Sequence, residues 1–495
     1  MAEGHLSQPA IRNNEWQALA APRLGEWTPT RSVSVIVPAY NPRHLDHVLA
    51  GLAGQSYPDH LLEVVVVDDG STPPVRLPEV RPERTRLLQT ADGWGRAASC
   101  HTGALRSDGE VLHWLDADMV VSREQVEAQL RWHHLVDYAV VLGEKLFGPI
   151  DALDHVTPER LRAAIALGQT PWSLTTADVS SHAWVDEIHH RTERLAMAGY
   201  RAMRAHVGAS ASVSRDLYRA SGGLPVGLKL GEDIVLGYRL REAGAVFIPD
   251  REAVALHLGE TNVMRQEAAI NRYNKPFITQ LVPEFRGHRL RVGRNYDVPY
   301  VEVVVPASGA DHETVAGAVN AQLAGTVPDL LVTLVANWDA LTDGRRRVLD
   351  DDAIDLRMLR ATFDSEPRVR LTGALDDRSP ATFRLTLPAP DCYPAGDGLE
   401  SLLQTMEERH LGVVTVDLGD VGVARLERTA SVARAGRVAA GGENPDSALA
   451  AVTLIETVTR DDAGFVTAAD APRIRQVRGL VPWGVKQAGS GGPGQ

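Results

Sequence analysis

The apolar positions of the first hundred residues fall into short unbroken runs separated by helical spacing. Ser32–Ala39 reads SVSVIVPA, a β-branched run that ends at Pro38-Ala39. Leu45, Val48, Leu49 and Leu52 then follow the spacing of one helix face. Leu61–Val67, LLEVVVV, is a second apolar run, closed by Asp68-Asp69-Gly70-Ser71. Strand, helix and strand in this order predict a βαβ unit with parallel strands, and runs without polar alternation predict strands buried on both faces. Val111–Val121, VLHWLDADMVV, predicts a third buried strand that delivers Asp116 and Asp118 to one place, because residues two apart on a strand point the same way.

Ligands of parallel α/β sheets bind beyond the C-terminal ends of the strands. Three such ends carry polar residues here: Pro38-Ala39-Tyr40-Asn41, Asp68-Asp69-Gly70-Ser71 and Asp116-Ala117-Asp118. Each has a plain structural reading, as a helix entry or a turn. Two carboxylates on one side repel unless a cation lies between them, and a hard divalent ion holding a diphosphate suits that place. Asp350 and Asp352 repeat the Asp-x-Asp spacing but sit in a charged run that reads as surface. Gly93-Trp94-Gly95-Arg96 precedes an Ala-rich helix, where glycines at a helix N-terminus and an arginine suit a phosphate.

Further along, Ser122–Val136 is expected to be helical and Val140–Gly143 a strand. Residues 150–206 are polar, irregular and rich in His and Arg, in the manner of an acceptor-binding insert or loop; their histidines, His182, His189 and His190, receive no metal role. Gly231-Glu232-Asp233 opens a helix whose dipole favours carboxylates, and two adjacent acids leave one for service as a general base. Ala245–Pro249 and Ala253–Gly259 predict two more strands, the second ending at His257.

Composition narrows the classes. The 495 residues allow two to four domains, and a net charge of −13 gives no basic excess for nucleic acid. Two distant cysteines, Cys100 and Cys392, form neither a disulfide framework nor a zinc site. Neither a signal peptide nor a transmembrane run is visible, so a cytoplasmic location is expected, with peripheral membrane contact left open. Lysine occurs only at 145, 229, 275 and 486, and arginine supplies the remaining basic residues.

The segments SVSVIVPAYN, EVVVVDDGS, DGWGRA, WLDADM, VGASASVSRDLYRASGG, GEDIVLGYRL and HLGETN, spread in order over roughly residues 32–262, together resemble the family-2 glycosyltransferases of the GT-A fold. The last two look most like the branch of chondroitin polymerases and polypeptide N-acetylgalactosaminyltransferases. The resemblance implies a Rossmann-like, mostly parallel α/β domain that uses a nucleoside-diphosphate sugar, UDP-linked by family habit, with Mn2+ or Mg2+. It implies that Pro38, Ala39, Tyr40 and Asn41 line the base pocket, that Asp68 or Asp69 binds the base, and that Gly93 and Arg96 approach the nucleotide. Asp116, with Ala117, would meet ribose or metal, Asp118 would ligate the metal, and His257 matches a third ligand. Asp233, next to Glu232, matches the base that deprotonates an acceptor hydroxyl on a carbohydrate or small molecule, giving inversion at the anomeric carbon. One departure stands out: Ser99-Cys100-His101-Thr102-Gly103 replaces the family's Ala-Arg-Asn stretch, which puts the contacts of that Arg and Asn in doubt.

The second half repeats the pattern without the polar ends. Val301–Ala307 is similar to Val33–Ala39, and Pro328–Val335 to Pro58–Val65, the sign of an internal repeat. Tyr40-Asn41 becomes Ser308-Gly309, Asp68-Asp69-Gly70 becomes Trp338-Asp339-Ala340, and Gly412–Asp420 is the nearest candidate for the Asp116-Ala117-Asp118 strand. The expected organisation is a lead-in over 1–31, a catalytic GT-A domain over 32–266, a basic bridge over 267–297, a degenerate GT-A-like domain over 298–440 and a C-terminal extension over 441–495, disordered at its end. The expected activity is a metal-dependent inverting hexosyl- or N-acetylhexosaminyltransferase. A carbohydrate- or nucleotide-sugar-binding scaffold is the alternative, with a nucleotidyltransferase as a third reading.

Overall fold

A computed structural model describes residues 7–289, 293–342, 347–439 and 445–469. The first sheet contains β1 (Val33–Ala39), β2 (Leu62–Asp68), β3 (Thr85–Gln89), β4 (Val111–Leu115), β5 (Met119–Val121), β6 (Ala139–Gly148), β7 (Ser180–Ser181), β8 (Ser210–Ser214) and β9 (Val246–Leu258). Their order is β3-β2-β1-β4-β8-β6-β9-β5, with β7 on β6. β1 to β4, β6 and β9 run one way; β5, β7 and β8 run against them. The sheet is therefore mixed but mostly parallel. β2 and β4 are buried along their whole length, and β1 at all positions but Pro38. The helix Arg96–Arg106 packs so closely on β1 that a Cβ at Gly103 would come 2.5 Å from Ile36 Cγ2.

Two expectations about the first sheet change. The run from Val111 to Val121 is not one strand: it breaks after Leu115, turns through Asp116-Ala117-Asp118, and resumes as β5 paired antiparallel with β9. The two carboxylates therefore sit on a turn, closed by Met119 N donating to Asp116 O, and not on one strand face. The two runs at 245–249 and 253–259 are one strand, β9, kept paired to β6 across a register shift at Gly143/Glu144.

The second sheet contains β10 (Val301–Pro306), β11 (Leu330–Val335), β12 (Val369–Thr372), β13 (Phe383–Thr386), β15 (Leu411–Asp417), β16 (Val423–Arg428) and β17 (Leu454–Thr459); β14 (Cys392–Pro394) and β18 (Phe465–Thr467) form a separate ribbon. Its order, β12-β11-β10-β13-β16-β15-β17, repeats β3-β2-β1-β4-β8-β6-β9 strand for strand, with the same sense at every pairing. Register agrees too: Val33 pairs with Leu62, and Val301 with Leu330, both shifted by 268. Ile36 pairs with Trp114 on β4 as Val304 pairs with Thr386 on β13. The counterpart of β4 is thus β13; Gly412–Asp420, expected in that role, lies on and after β15, which corresponds to β6. Leu115-Asp116-Ala117-Asp118 matches Leu387-Pro388-Ala389-Pro390 in this register, so both aspartates are replaced by proline. The same shift of 268 takes Asp68 to Ala336 and Asp69 to Asn337, two residues earlier than the match expected from sequence.

The second sheet continues past residue 440, where the end of this unit was expected, because β17 pairs parallel with β15. The far C-terminus, expected to be disordered, lies outside the described residues. The two units share a core: Val413, Ala435, Val438, Ala448, Leu449 and Val452 cluster with Ile11, Leu195, Phe247 and other residues of the first unit. Residues 7–16 run through the seam. Buried Arg434 donates to Gly244 O and Ala245 O on one side and to Ile11 O and Asn13 O on the other. Asn14 Nδ2 donates to Leu195 O and Phe247 O, both at 2.9 Å. Among the described residues no helix is long and apolar enough to cross a membrane.

Candidate active site

The C-terminal ends of β1, β2 and β4 meet the loop before the helix Arg96–Arg106. At the end of β1, Pro38 and Ala39 are held in strand pairing with Val67 and Asp68, and Tyr40 projects with 66% of its surface exposed. Asn41 takes a positive φ of 46° and is tied to the next loop: its N–H donates to Ser71 Oγ at 2.8 Å and its Oδ1 accepts from Thr72 N at 2.9 Å. Asp68 is buried, and its own loop uses both carboxylate oxygens, through Ser71 N, Val75 N and Gln89 Nε2. Asp68 therefore shapes this loop. Asp69 reaches outward, accepting from Gly95 N at 2.7 Å and Thr90 Oγ1 at 3.1 Å, and so fixes the glycine loop.

Gly93 and Gly95 both take positive φ, 77° and 91°, which a side chain would strain. Between them Trp94 is 63% exposed and lies under the Lys229 ammonium at 4.4 Å, while Lys229 Nζ donates to Trp94 O at 2.7 Å. Arg96, the first residue of the helix, turns inward. Its Nε donates to Asp116 Oδ1 at 2.8 Å, Nη1 to Glu232 Oε1 at 3.3 Å and Nη2 to Gly208 O at 2.6 Å. One guanidinium thus gathers the ends of β4, the approach to β8 and the N-terminus of the helix Glu232–Glu242.

Gly231, in the left-handed region at φ 76°, lets that helix begin against the helix Asn262–Leu281, where a Cβ would meet Ile278 Cδ1 at 2.8 Å. Glu232 is buried, and that burial, reinforced by the neighbouring charge of Asp233 and opposed by Arg96, pushes its carboxyl up to about 7. Asp233 is only partly buried, and its carboxylate accepts from the adjacent Ile234 N–H at 2.8 Å. The two acids thus divide: Glu232 faces in to Arg96 and Asp233 stays open.

Asp118 faces His257, whereas Asp116 faces Arg96. The Asp118 backbone carbonyl accepts from Leu258 N at 2.9 Å, and Asp118 Oδ1 lies 3.6 Å from His257 Nε2. His257 Nδ1 lies 2.8 Å from Gly259 O. A carbonyl only accepts, so Nδ1 carries a proton, and Nε2 is the ring nitrogen left to face Asp118. Asp118 Oδ1 is buried and has no hydrogen-bond partner, and burial holds the carboxyl above its ordinary range. A carboxylate oxygen and an imidazole nitrogen are both metal-ligand types, so the donor set of this pair fits a divalent ion. Asp116 is engaged by Arg96 and does not join them; among the described residues no cluster of three His, Cys, Asp or Glu side chains is close enough to hold a metal. Ala117 bridges the two acids in the turn.

Sequence reasoning passed over Lys145. It lies on β6, is 8% exposed, and is within electrostatic reach of Asp116 and Asp233, yet burial lowers its ammonium to about 8. Its rarity was the available signal, since it is one of four lysines among 51 basic residues. Arg96 was singled out as a nucleotide contact, but nothing in the sequence indicated its link to Glu232, 136 residues away.

Residues 34–183 match the model of Glycosyl transferase family 2. An uncharacterized glycosyltransferase of Haemophilus influenzae is 29% identical over 114 residues, which cover 21% of this chain and 44% of that relative. The chain therefore spans less than half of the length of this curated relative. Among solved structures, a mannosyltransferase from Pyrobaculum calidifontis in complex with GDP-Man and Mn2+ is similar at 19% identity and a TM-score of 0.33, over 52% of this chain and 64% of that one. GalNAc-T7 with UDP, GalNAc and Mn2+ is similar at 14% identity and a TM-score of 0.33, over 52% and 50% of the two chains.

Proposed function

We propose, starting from the family-2 glycosyltransferase match over residues 34–183, that the first unit transfers a sugar from a nucleoside diphosphate to an acceptor hydroxyl, with inversion at the anomeric carbon. The observation that carries this reading is the triple contact of Arg96, which holds the 116–118 turn and the Glu232-Asp233 helix start at one place. Donor-side and acceptor-side groups thereby share a single mouth at the C-terminal end of the sheet.

In this reading, Tyr40, Asn41 and Asp69 border the nucleoside, and the glycine loop with Arg96 borders its phosphates. A divalent ion, Mn2+ or Mg2+, held by Asp118 and His257 would offset the charge on the departing diphosphate. Asp233 is the base. It is the open member of the acidic pair, so it accepts the proton of the attacking hydroxyl while Glu232 keeps Arg96 in register. Asp116 serves through the same arginine, as an anchor of the turn that presents Asp118. The second unit, with Pro388 and Pro390 where the acids would stand, contributes no donor chemistry and supports the first through the shared core.

The reading is tested by incubating the full chain with UDP-, GDP- and dTDP-linked sugars and Mn2+ and measuring free nucleoside diphosphate. Slow donor hydrolysis with one nucleotide supports it. Absence of turnover with every donor, together with absence of nucleotide binding, contradicts it.

A further inference from the structure

The helix that presents Glu232 and Asp233 begins without a side-chain cap. Gly231 precedes it in the left-handed region and has no side chain to bond the free N–H groups of the first turn. Among the described residues, the hydrogen bond that the Asp233 carboxylate accepts comes from within the same turn, from Ile234 N at 2.8 Å. The direction of this carboxylate therefore follows the backbone of the first turn, and whatever holds that backbone aims the base. Two groups from elsewhere in the chain hold it. Arg96 Nη1 donates to Glu232 Oε1 at 3.3 Å. His206 Nδ1 lies 2.9 Å from the backbone carbonyl of Asp233, and because a carbonyl only accepts, Nδ1 is the donor.

His206 is 3% exposed and follows the 3-10 helix Gly199–Ala205 at the end of the 150–206 insert. Its approach depends on Gly237, one turn on from Asp233: a Cβ there would stand 3.0 Å from His206 Cβ and 3.1 Å from Met203 O. Two residues after His206, Gly208 O accepts from Arg96 Nη2 at 2.6 Å, and a Cβ at Gly208 would come 2.7 Å from Arg96 Nη1. The segment His206-Val207-Gly208 thus brackets the start of the helix. One end holds Asp233, and the other holds the arginine that holds Glu232.

We propose that His206 is a positioning residue, which fixes the first turn through the Asp233 carbonyl and so aims the Asp233 carboxylate at the attacking hydroxyl. The inference rests on the reading of Asp233 as the base, and the test separates the two. The probe is donor hydrolysis by the full chain with Mn2+, using whichever UDP-, GDP- or dTDP-linked sugar it turns over. Water stands in for the acceptor: its oxygen bonds the anomeric carbon, its proton passes to Asp233 and the nucleoside diphosphate leaves. His206→Leu removes the donor and keeps much of the volume. It should lower kcat at least tenfold and leave donor KM and calorimetric binding of the nucleoside diphosphate within about twofold. His206→Asn, whose amide can donate from about the place of Nδ1, should bring kcat back to within about threefold of the wild type. Gly237→Ala, which presses on the ring, should lower kcat without moving KM. Wild-type kcat in His206→Leu overturns the positioning role, and so does an equal loss in His206→Leu and His206→Asn. If His206→Leu does not fold, the other two variants decide: wild-type kcat in Gly237→Ala, or a tenfold loss in His206→Asn, overturns it. Asp233→Asn is measured alongside. Wild-type hydrolysis in that variant overturns the base reading and this one with it, as does absence of turnover with every donor.

Discussion

Arg96 Nε donates to Asp116 Oδ1 at 2.8 Å, and this contact joins the first turn of a helix to the break between β4 and β5. The same guanidinium has Glu232 and Gly208 O as its other partners, so its loss leaves Asp116 and Glu232 without the cation that both contact. Removing one member of a largely buried ion pair costs on the order of 3 kcal/mol. Arg96→Met should lower stability by about that amount in urea unfolding and reduce donor turnover at least a hundredfold. Arg96→Lys should recover part of the stability and little of the activity, because a lysine reaches one partner at a time.

Glu232 predicts a pH dependence. Burial first, then Asp233, raises its carboxyl from 4.5 to about 7 in the folded chain. The native state therefore holds this proton more tightly than the unfolded state does. The stability it contributes is fully present below about 4.5 and is lost as pH rises through about 7, by roughly 1–3 kcal/mol. Denaturant titrations from pH 5 to pH 8 should show this fall in the wild type and a flatter profile in Glu232→Gln. Parallel profiles would remove Glu232 from the coupled site.

Asp233→Asn separates chemistry from binding. The substitution keeps the size of the side chain and removes the base, so nucleotide binding should stay within about threefold while transfer falls at least a hundredfold. Single-turnover transfer and calorimetry on the same preparation check both halves. A variant that transfers normally would assign the proton to another group.

The seam predicts that the units do not separate. A chain cut at residue 297 would expose the apolar surface that Val413, Val438, Leu449 and Val452 now cover, and would remove Arg434 from four backbone carbonyls. Residues 1–297 alone should aggregate or unfold, as read by size exclusion and circular dichroism. A monomeric, cooperatively folded fragment would show that the shared core is dispensable.

Much of this architecture was legible in the sequence where strands are buried on both faces. SVSVIVPA and LLEVVVV read as strands because no alternation interrupts them, and they pair in register as β1 and β2. The break at Asp116 was not legible, because it depends on pairing between Met119–Val121 and Ala255–His257, more than a hundred residues away. The counterpart of β4 was missed for a related reason. Phe383–Thr386 alternates with Arg384 and Thr386 and looks like a surface strand, whereas Gly412–Asp417 looks like a core strand. Only the pairing with β10 reveals Pro388 and Pro390 as the positions of the lost acids. In the site, acids at strand ends were visible one by one, but their partners were not: Asp68 closes its own loop, and Asp118 turns to His257 rather than to Asp116.

The central claim is that Asp118 and His257 hold a divalent ion that binds the diphosphate of a sugar nucleotide. The most direct measurement is calorimetric titration of UDP, GDP and dTDP with Mn2+ and with excess chelator, on the wild type and on Asp118→Ala. The account predicts micromolar to millimolar binding of one of these nucleotides with Mn2+, weakened at least tenfold by chelator and equally by Asp118→Ala while the fold is kept. Binding that ignores both the metal and the substitution would contradict it.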